Sequence, residues 1–206
     1  MNKCIIFCAG ELNHSVEMPK KDDYVIAANG GYRHTERLGI TPNAILGDFD
    51  SLGFVPEGAE VFPVEKDDTD AMLAVRHGLK KGCDTFYIYG GMEGDRVDHT
   101  VANLQTLFYL TAHGASGYLV GKKQIATVLQ NSTLCLPARD SGTVSVFAMG
   151  GDARGVTIKG LHYEAENITL SPAFPLGVSN HGLGGEATIT VADGTLLIIY
   201  DRKEDL

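Results

Sequence analysis

The chain has 206 residues, of which 44% are hydrophobic and 21% charged, a balance that supports a folded core and excludes a largely disordered chain. Lys and Arg number 17 against 26 Asp and Glu, a net charge of −9, which excludes a nucleic-acid binder built on a basic stripe. Cys4, Cys8, Cys83 and Cys135 include no Cys-x-x-Cys pair, so all four are expected to be reduced and mostly packed, in a cytoplasmic setting. The apolar run 4–9 is too short for a signal peptide or a bilayer span, so no membrane partner is expected. The Asn-x-Ser/Thr matches at Asn13, Asn131 and Asn167 are then chance.

In chain order, 3–8 and 24–28 read as buried strands, 44–46 as a shorter one, and 85–89 and 118–120 as two more. Between them, 69–81 has helical spacing at Met72, Val75 and Leu79, with Asp68 or Thr69 as cap and Gly82 as stop. The stretch 99–112 places Val101, Leu104, Leu107 and Phe108 on one side and stops at Gly114. Strands alternating with helices predict an α/β domain with a largely parallel sheet. Beyond Gly121 the helical period disappears, and 124–130, 143–147, 155–158, 186–191 and 195–200 all read as strands separated by Gly and Pro. The expected architecture is an α/β domain over 1–123, followed by an all-β, sandwich-like domain over 124–206.

Three segments carry chemistry. Gly47-Asp48-Phe49-Asp50-Ser51 follows a strand, where ligands bind in open α/β sheets. If extended, it points Asp48 and Asp50 to one side, a good oxygen site for Mg²⁺; otherwise Asp, Gly and Ser form a turn. Lys66-Asp67-Asp68-Thr69-Asp70 enters a helix and reads either as a cap or as a metal or phosphate site. Gly90-Gly91, followed by Arg96-Val97-Asp98-His99 and Asn103, joins a strand to a helix. Its glycines let backbone N–H groups approach an anion, Arg96 offers a planar fork to a phosphate, and Asp98 either caps the helix or orients Arg96. The Walker-like 117–123 has the wrong spacing, the histidines lack zinc spacing, and Ser51 lacks a nucleophile elbow.

Together, in order and spacing, these segments resemble the thiamine pyrophosphokinase family. The similarity extends upstream through Ala28-Asn29-Gly30-Gly31 and Pro42, and downstream through 160–163 and Ser179-Asn180. The resemblance implies Mg²⁺-dependent transfer of pyrophosphate from ATP to the hydroxyethyl group of thiamine, giving thiamine diphosphate and AMP. It implies that Asp48, Asp50 and Asp70 hold Mg²⁺ and the triphosphate, with Arg96 among the catalytic residues. It further implies an ATP site shaped by Asn29, Gly30, Thr69, Gly90, Gly91, Arg96, Asp98, His99 and Asn103, and a thiamine pocket containing Ser179 and Asn180. A homodimer with a shared active site is implied as well. Family members commonly carry Asp-Gly-Gly where this chain has Asn29-Gly30-Gly31; Asn keeps an acceptor oxygen but loses the charge. The alternatives are a pyrophosphokinase for another hydroxymethyl heterocycle such as a pterin, a non-catalytic thiamine or nucleotide sensor, or a metal-dependent phosphohydrolase.

Overall fold

The structure is a computed structural model and describes residues 2–12, 15–50, 52–65, 67–94, 96–138 and 140–202. Lys66, Ser51 and Asp95 of the three motif segments, and Asn13 of the first Asn-x-Ser match, lie outside the described residues. The chain divides into two compact units, one ending at Lys122 and the other beginning at Lys123.

The first unit contains β1 (Lys3–Phe7), β2 (Tyr24–Ala28), α1 (Tyr32–Leu38), β3 (Ala44–Gly47), β4 (Glu60–Val61), α2 (Asp70–Lys80), β5 (Thr85–Tyr89), α3 (Val97–Ala112) and β6 (Ser116–Val120). These strands pair in parallel in the order β6-β5-β1-β2-β3-β4. Four of the five residues of β1 and of β2 are buried, as parallel strands covered on both faces require. On one face, a Cβ at Gly78 of α2 would meet the Phe86 ring and Cys4 Sγ, and one at Gly117 would meet Leu107 and Leu110 of α3. The core therefore lies between these helices and alternate residues of β1, β5 and β6, while α1 also packs on β1 and β2.

The second unit contains β7 (Gln124–Gln130), β8 (Thr133–Leu136), β9 (Thr143–Ala148), β10 (Ala153–Lys159), β11 (Ala165–Leu170), β12 (Gly177–His181), β13 (Ala187–Thr190) and β14 (Thr195–Asp201). One antiparallel layer runs β12-β9-β14-β7 and the other β11-β10-β13-β8. Val144, Val146, Leu196 and Ile198 of the first layer share a core with Val156, Ile158 and Ile189 of the second. This is the expected sandwich-like arrangement, with inward and outward residues alternating most cleanly along β9 and β13.

Several elements depart from the sequence reading. The short helix α1 buries only Thr35, so it has no apolar stripe to announce it. Strands β11 and β12 each bury a single residue and lack the alternation that marks a half-buried strand. Helix α3 starts at Val97 rather than His99, and β6 at Ser116 rather than Tyr118. Cys135 is exposed, whereas Cys4, Cys8 and Cys83 are buried.

Candidate functional site

Because the strands of the first unit are parallel, their carboxyl ends lie along one edge. The chain adds β2, β3 and β4 on one side of β1, then β5 and β6 on the other. That reversal between β1 and β5 is where open α/β sheets form a crevice. A cleft of about 600 Å³ lies there. Its walls include Asn29, Asp48, Asp50, Thr69 and Asp70, and opposite them Gly90, Gly91, Arg96, His99 and Asn103. Gly30 and Asp98 do not contribute to the wall.

The chain turns at Phe49 and does not run extended from Asp48 to Asp50. Phe49 has φ +60 and is buried, and Leu52 N donates to Phe49 O. Asp48 Oδ1 accepts from Asp50 N at 3.3 Å, and Arg33 Nη2 donates to Leu52 O at 3.2 Å, so the turn is fixed from inside and outside. Turn geometry leaves Asp50 exposed and Asp48 half-buried, both facing the cleft.

Thr69 is the N-cap of α2; its Oγ1 accepts from Met72 N at 3.2 Å. Asp70 sits in the first turn, where a negative charge complements the helix dipole. Asp68 pairs with Arg76 at 2.8 Å. Capping and cleft-lining are thus both true of this segment.

On the other wall, Asn103 is buried and its Nδ2 donates to Gly91 O at 2.8 Å, tying α3 to the glycine loop. Gly10 N donates to Gly90 O at 2.9 Å, joining the loop after β1 to the same glycines. Arg96 stands at the N-cap position of α3 without a side-chain cap bond. Its guanidinium meets Asp98 through two bonds, Nε to Oδ1 at 3.2 Å and Nη2 to Oδ2 at 2.5 Å. The guanidinium holds the Asp98 carboxyl below the usual carboxylate range. Asp98 therefore orients Arg96 and does not cap the helix.

Sequence reasoning missed the loop Cys8-Ala9-Gly10 and Glu93, which also line the cleft. A small residue and a glycine soon after a largely buried strand were the available signal for the loop. Glu93 Oε1 accepts from Lys122 N, which fixes the loop after β5 against the end of β6. Burial, with the Asp70 charge nearby, pushes the Cys8 thiol up to about 12, so it is a neutral thiol at pH 7 and no nucleophile.

Ser179 and Asn180 belong to β12 of the second unit. Ser179 is exposed, with φ +60. Asn180 is buried; its Oδ1 accepts from Tyr163 N and His181 N, both at 2.9 Å, and its Nδ2 donates to Tyr163 O at 2.7 Å. This amide shapes the turn that carries His162 and Tyr163, whose rings gather with His181.

Asp48, Asp50 and Asp70 offer hard oxygen donors of the kind Mg²⁺ takes. Among the described residues no three acidic, His or Cys side chains form a ready ligand cage. Mg²⁺ fits such a half-built site, because it keeps several waters and relies on one or two carboxylates plus substrate phosphates. Arg96 and the N-termini of α2 and α3 face the same space and suit phosphate oxygens.

Comparison with known proteins concerns the chain as a whole. Residues 16–119 match the family "Thiamin pyrophosphokinase, catalytic domain", and residues 132–196 match "Thiamin pyrophosphokinase, vitamin B1 binding domain". The thiamine pyrophosphokinase of Bacillus subtilis (strain 168) is 26% identical over 170 residues, covering 78% of this chain and 79% of that one. Among solved structures, the thiamine pyrophosphokinase of Bacillus subtilis superposes with a TM-score of 0.88 at 22% identity, over 98% of this chain and 100% of that one. The thiamin pyrophosphokinase of Candida albicans reaches 0.69 at 16% identity, over 97% and 88%. These superpositions establish the fold, and the matches to both family domains establish descent: the chain belongs to the thiamin pyrophosphokinase family of enzymes.

Proposed function

We propose that the chain transfers the pyrophosphoryl group of ATP to the hydroxyethyl oxygen of thiamine, with Mg²⁺ held at Asp48, Asp50 and Asp70. The observation that carries this reading is the pairing, across one cleft, of three carboxylates with Arg96 and two helix N-termini. Such a site binds a cation and a polyphosphate together. When bound, Mg²⁺ supplies the positive charge that this acidic protein lacks and neutralises the phosphate oxygens. The thiamine hydroxyl oxygen bonds to the β-phosphorus while the bond from that phosphorus to the α,β-bridging oxygen breaks. AMP leaves with that oxygen, and the hydroxyl proton passes to a cleft aspartate. Transfer of this kind needs positioning and charge neutralisation rather than a covalent intermediate.

Asn29, Thr69, Gly90, Gly91, His99 and Asn103 shape the ATP site in this reading, Arg96 contacts its phosphates, and Asp98 holds Arg96. Gly30 has a backbone role beside Asn29. Ser179 and Asn180 serve thiamine, with Asn180 acting through the His162–Tyr163 turn. A homodimer in which the second unit of one protomer faces the nucleotide site of the other completes the proposal. It is supported by exposed Phe174, Leu176 and Val178 leading into β12, which lies at the end of its layer. The proposed setting is cytoplasmic; among the described residues no helix is long and apolar enough to cross a membrane.

Incubation with ATP, Mg²⁺ and thiamine is expected to yield AMP and thiamine diphosphate in equal amounts. Asp50→Asn is expected to reduce turnover by roughly a hundredfold, the scale of losing a charge-stabilising group. Near-native turnover of that variant at limiting Mg²⁺ would refute the metal assignment, and AMP release that does not need thiamine would refute the transfer.

A further inference from the structure

Strand β2 runs into Asn29, which is buried and has φ +50. Its Nδ2 donates to Asp48 Oδ1 and to Asp70 Oδ2, each at 2.9 Å. Asp48 follows β3 and Asp70 opens α2, so one nitrogen ties together the ends of three elements. The direction of the amide follows from its partners. An ionised carboxylate only accepts, so the NH₂ end and not the carbonyl end must face both. Asn29 is packed tightly in this place: a Cβ at Gly47 would lie 2.9 Å from Asn29 Cα and 3.0 Å from its Cβ.

Two carboxylates brought this close repel one another unless a positive or donating group stands between them. The Asn29 amide supplies two hydrogen bonds to charged acceptors and adds no charge of its own. We infer that Asn29 is a positioning residue that assembles Asp48 and Asp70 before any divalent cation arrives, doing with an amide what a cation does elsewhere. The amide engages one oxygen on each carboxylate. An aspartate at the same position has no donor to give. It would set a third negative charge against the other two, and the cluster would then depend on a cation to hold together.

The inference rests on the proposed role of Asp48 and Asp70 toward Mg²⁺. Its test uses the full-length protein, Asn29→Asp and Asn29→Gly. Glycine tolerates the positive φ, so that variant removes the amide without straining the backbone. Two quantities are measured: the thermal midpoint in EDTA and with Mg²⁺, and Mg²⁺ affinity by calorimetry in the presence of α,β-methylene ATP. Asn29→Asp is expected to melt roughly 5 °C below the native protein in EDTA and to recover with Mg²⁺, while the native midpoint moves much less. Asn29→Gly is expected to bind Mg²⁺ about tenfold more weakly, because the pair is no longer preassembled. A residue needed only for its backbone conformation would leave both readouts unchanged in both variants, and that result overturns the inference alone. Failure of the native protein to bind Mg²⁺ under these conditions overturns the metal assignment and the inference with it.

Discussion

Gly31→Ala is the sharpest test of how the fold holds the cleft. Gly31 has φ −58 and ψ −20, values any residue adopts, so the backbone itself raises no objection to alanine. Space does. A Cβ at this position would lie 1.9 Å from Phe7 O, 2.5 Å from Phe7 C and 3.1 Å from Cys8 N. Contacts below 3.0 Å essentially do not occur, so the end of β1 and the turn after β2 must separate by about 1 Å. Neither side is a flexible side chain that could swing away: Phe7 is fully buried at the centre of the parallel sheet. Overpacking costs about 1–3 kcal/mol, and a backbone clash belongs at the top of that range. For a chain of this length about 3 kcal/mol lowers the melting midpoint by roughly 6–12 °C. The same displacement shifts Cys8-Ala9-Gly10 against Asn29 and thereby both walls of the cleft, and a misplacement of about 1 Å costs on the order of a hundredfold in rate. Gly39→Ala is the control. Gly39 has φ +66 with nothing within 4 Å of its added Cβ, so it suffers strain of only about 1–2 kcal/mol, remote from the cleft. Circular dichroism melts and the thiamine pyrophosphokinase assay read both variants. If Gly31→Ala melted within about 2 °C of the native protein and kept its rate, the contact between the end of β1 and Gly31 would not be as tight as argued.

Two further outcomes follow from the same structure. Arg96→Lys is expected to raise the ATP requirement roughly tenfold, because a point charge cannot reproduce the planar fork that Asp98 holds in place; steady-state kinetics with ATP and thiamine varied separately would show an ATP-selective effect. Stability should fall as the pH drops below about 6.5, the ordinary histidine value. Burial lowers the pKa of both His34, which donates to Gly10 O at 2.8 Å, and His77, which bonds Tyr24 Oη at 3.1 Å. The unfolded chain then takes up protons before the folded one does, so their contribution is complete above the unfolded value and lost as the pH falls toward the folded one. Replacing both by Gln should flatten midpoint against pH between about 5 and 7; an unchanged slope would remove these two residues as the cause.

How much of this was legible without the fold differs from residue to residue. Composition and periodicity determined the α/β half followed by the β half, because buried parallel strands read as apolar runs and amphipathic helices as a 3.6-residue stripe. The cap of α2 could be narrowed to Asp68 or Thr69 because capping is settled within one turn of chain, and the structure selects Thr69. The order and spacing of the three motif segments pointed to the family. What the chain could not show by itself is convergence. Asn29 lies 19 residues from Asp48 and 41 from Asp70, and only the parallel pairing of β1, β2 and β3, with α2 packed on β2, brings them to one nitrogen. The turn at Phe49 was likewise undecided locally, since the same five residues suit an extended segment or a turn; burial of Phe49 and Leu52, with Arg33 gripping the latter's carbonyl, selects the turn. Asn180 shows the same limit, because its amide serves Tyr163, 17 residues away, with β11 lying between them in the chain. Local propensity and burial are written in neighbouring residues, whereas hydrogen-bond partners of buried polar groups are fixed by which strands lie side by side, and that only the tertiary structure decides.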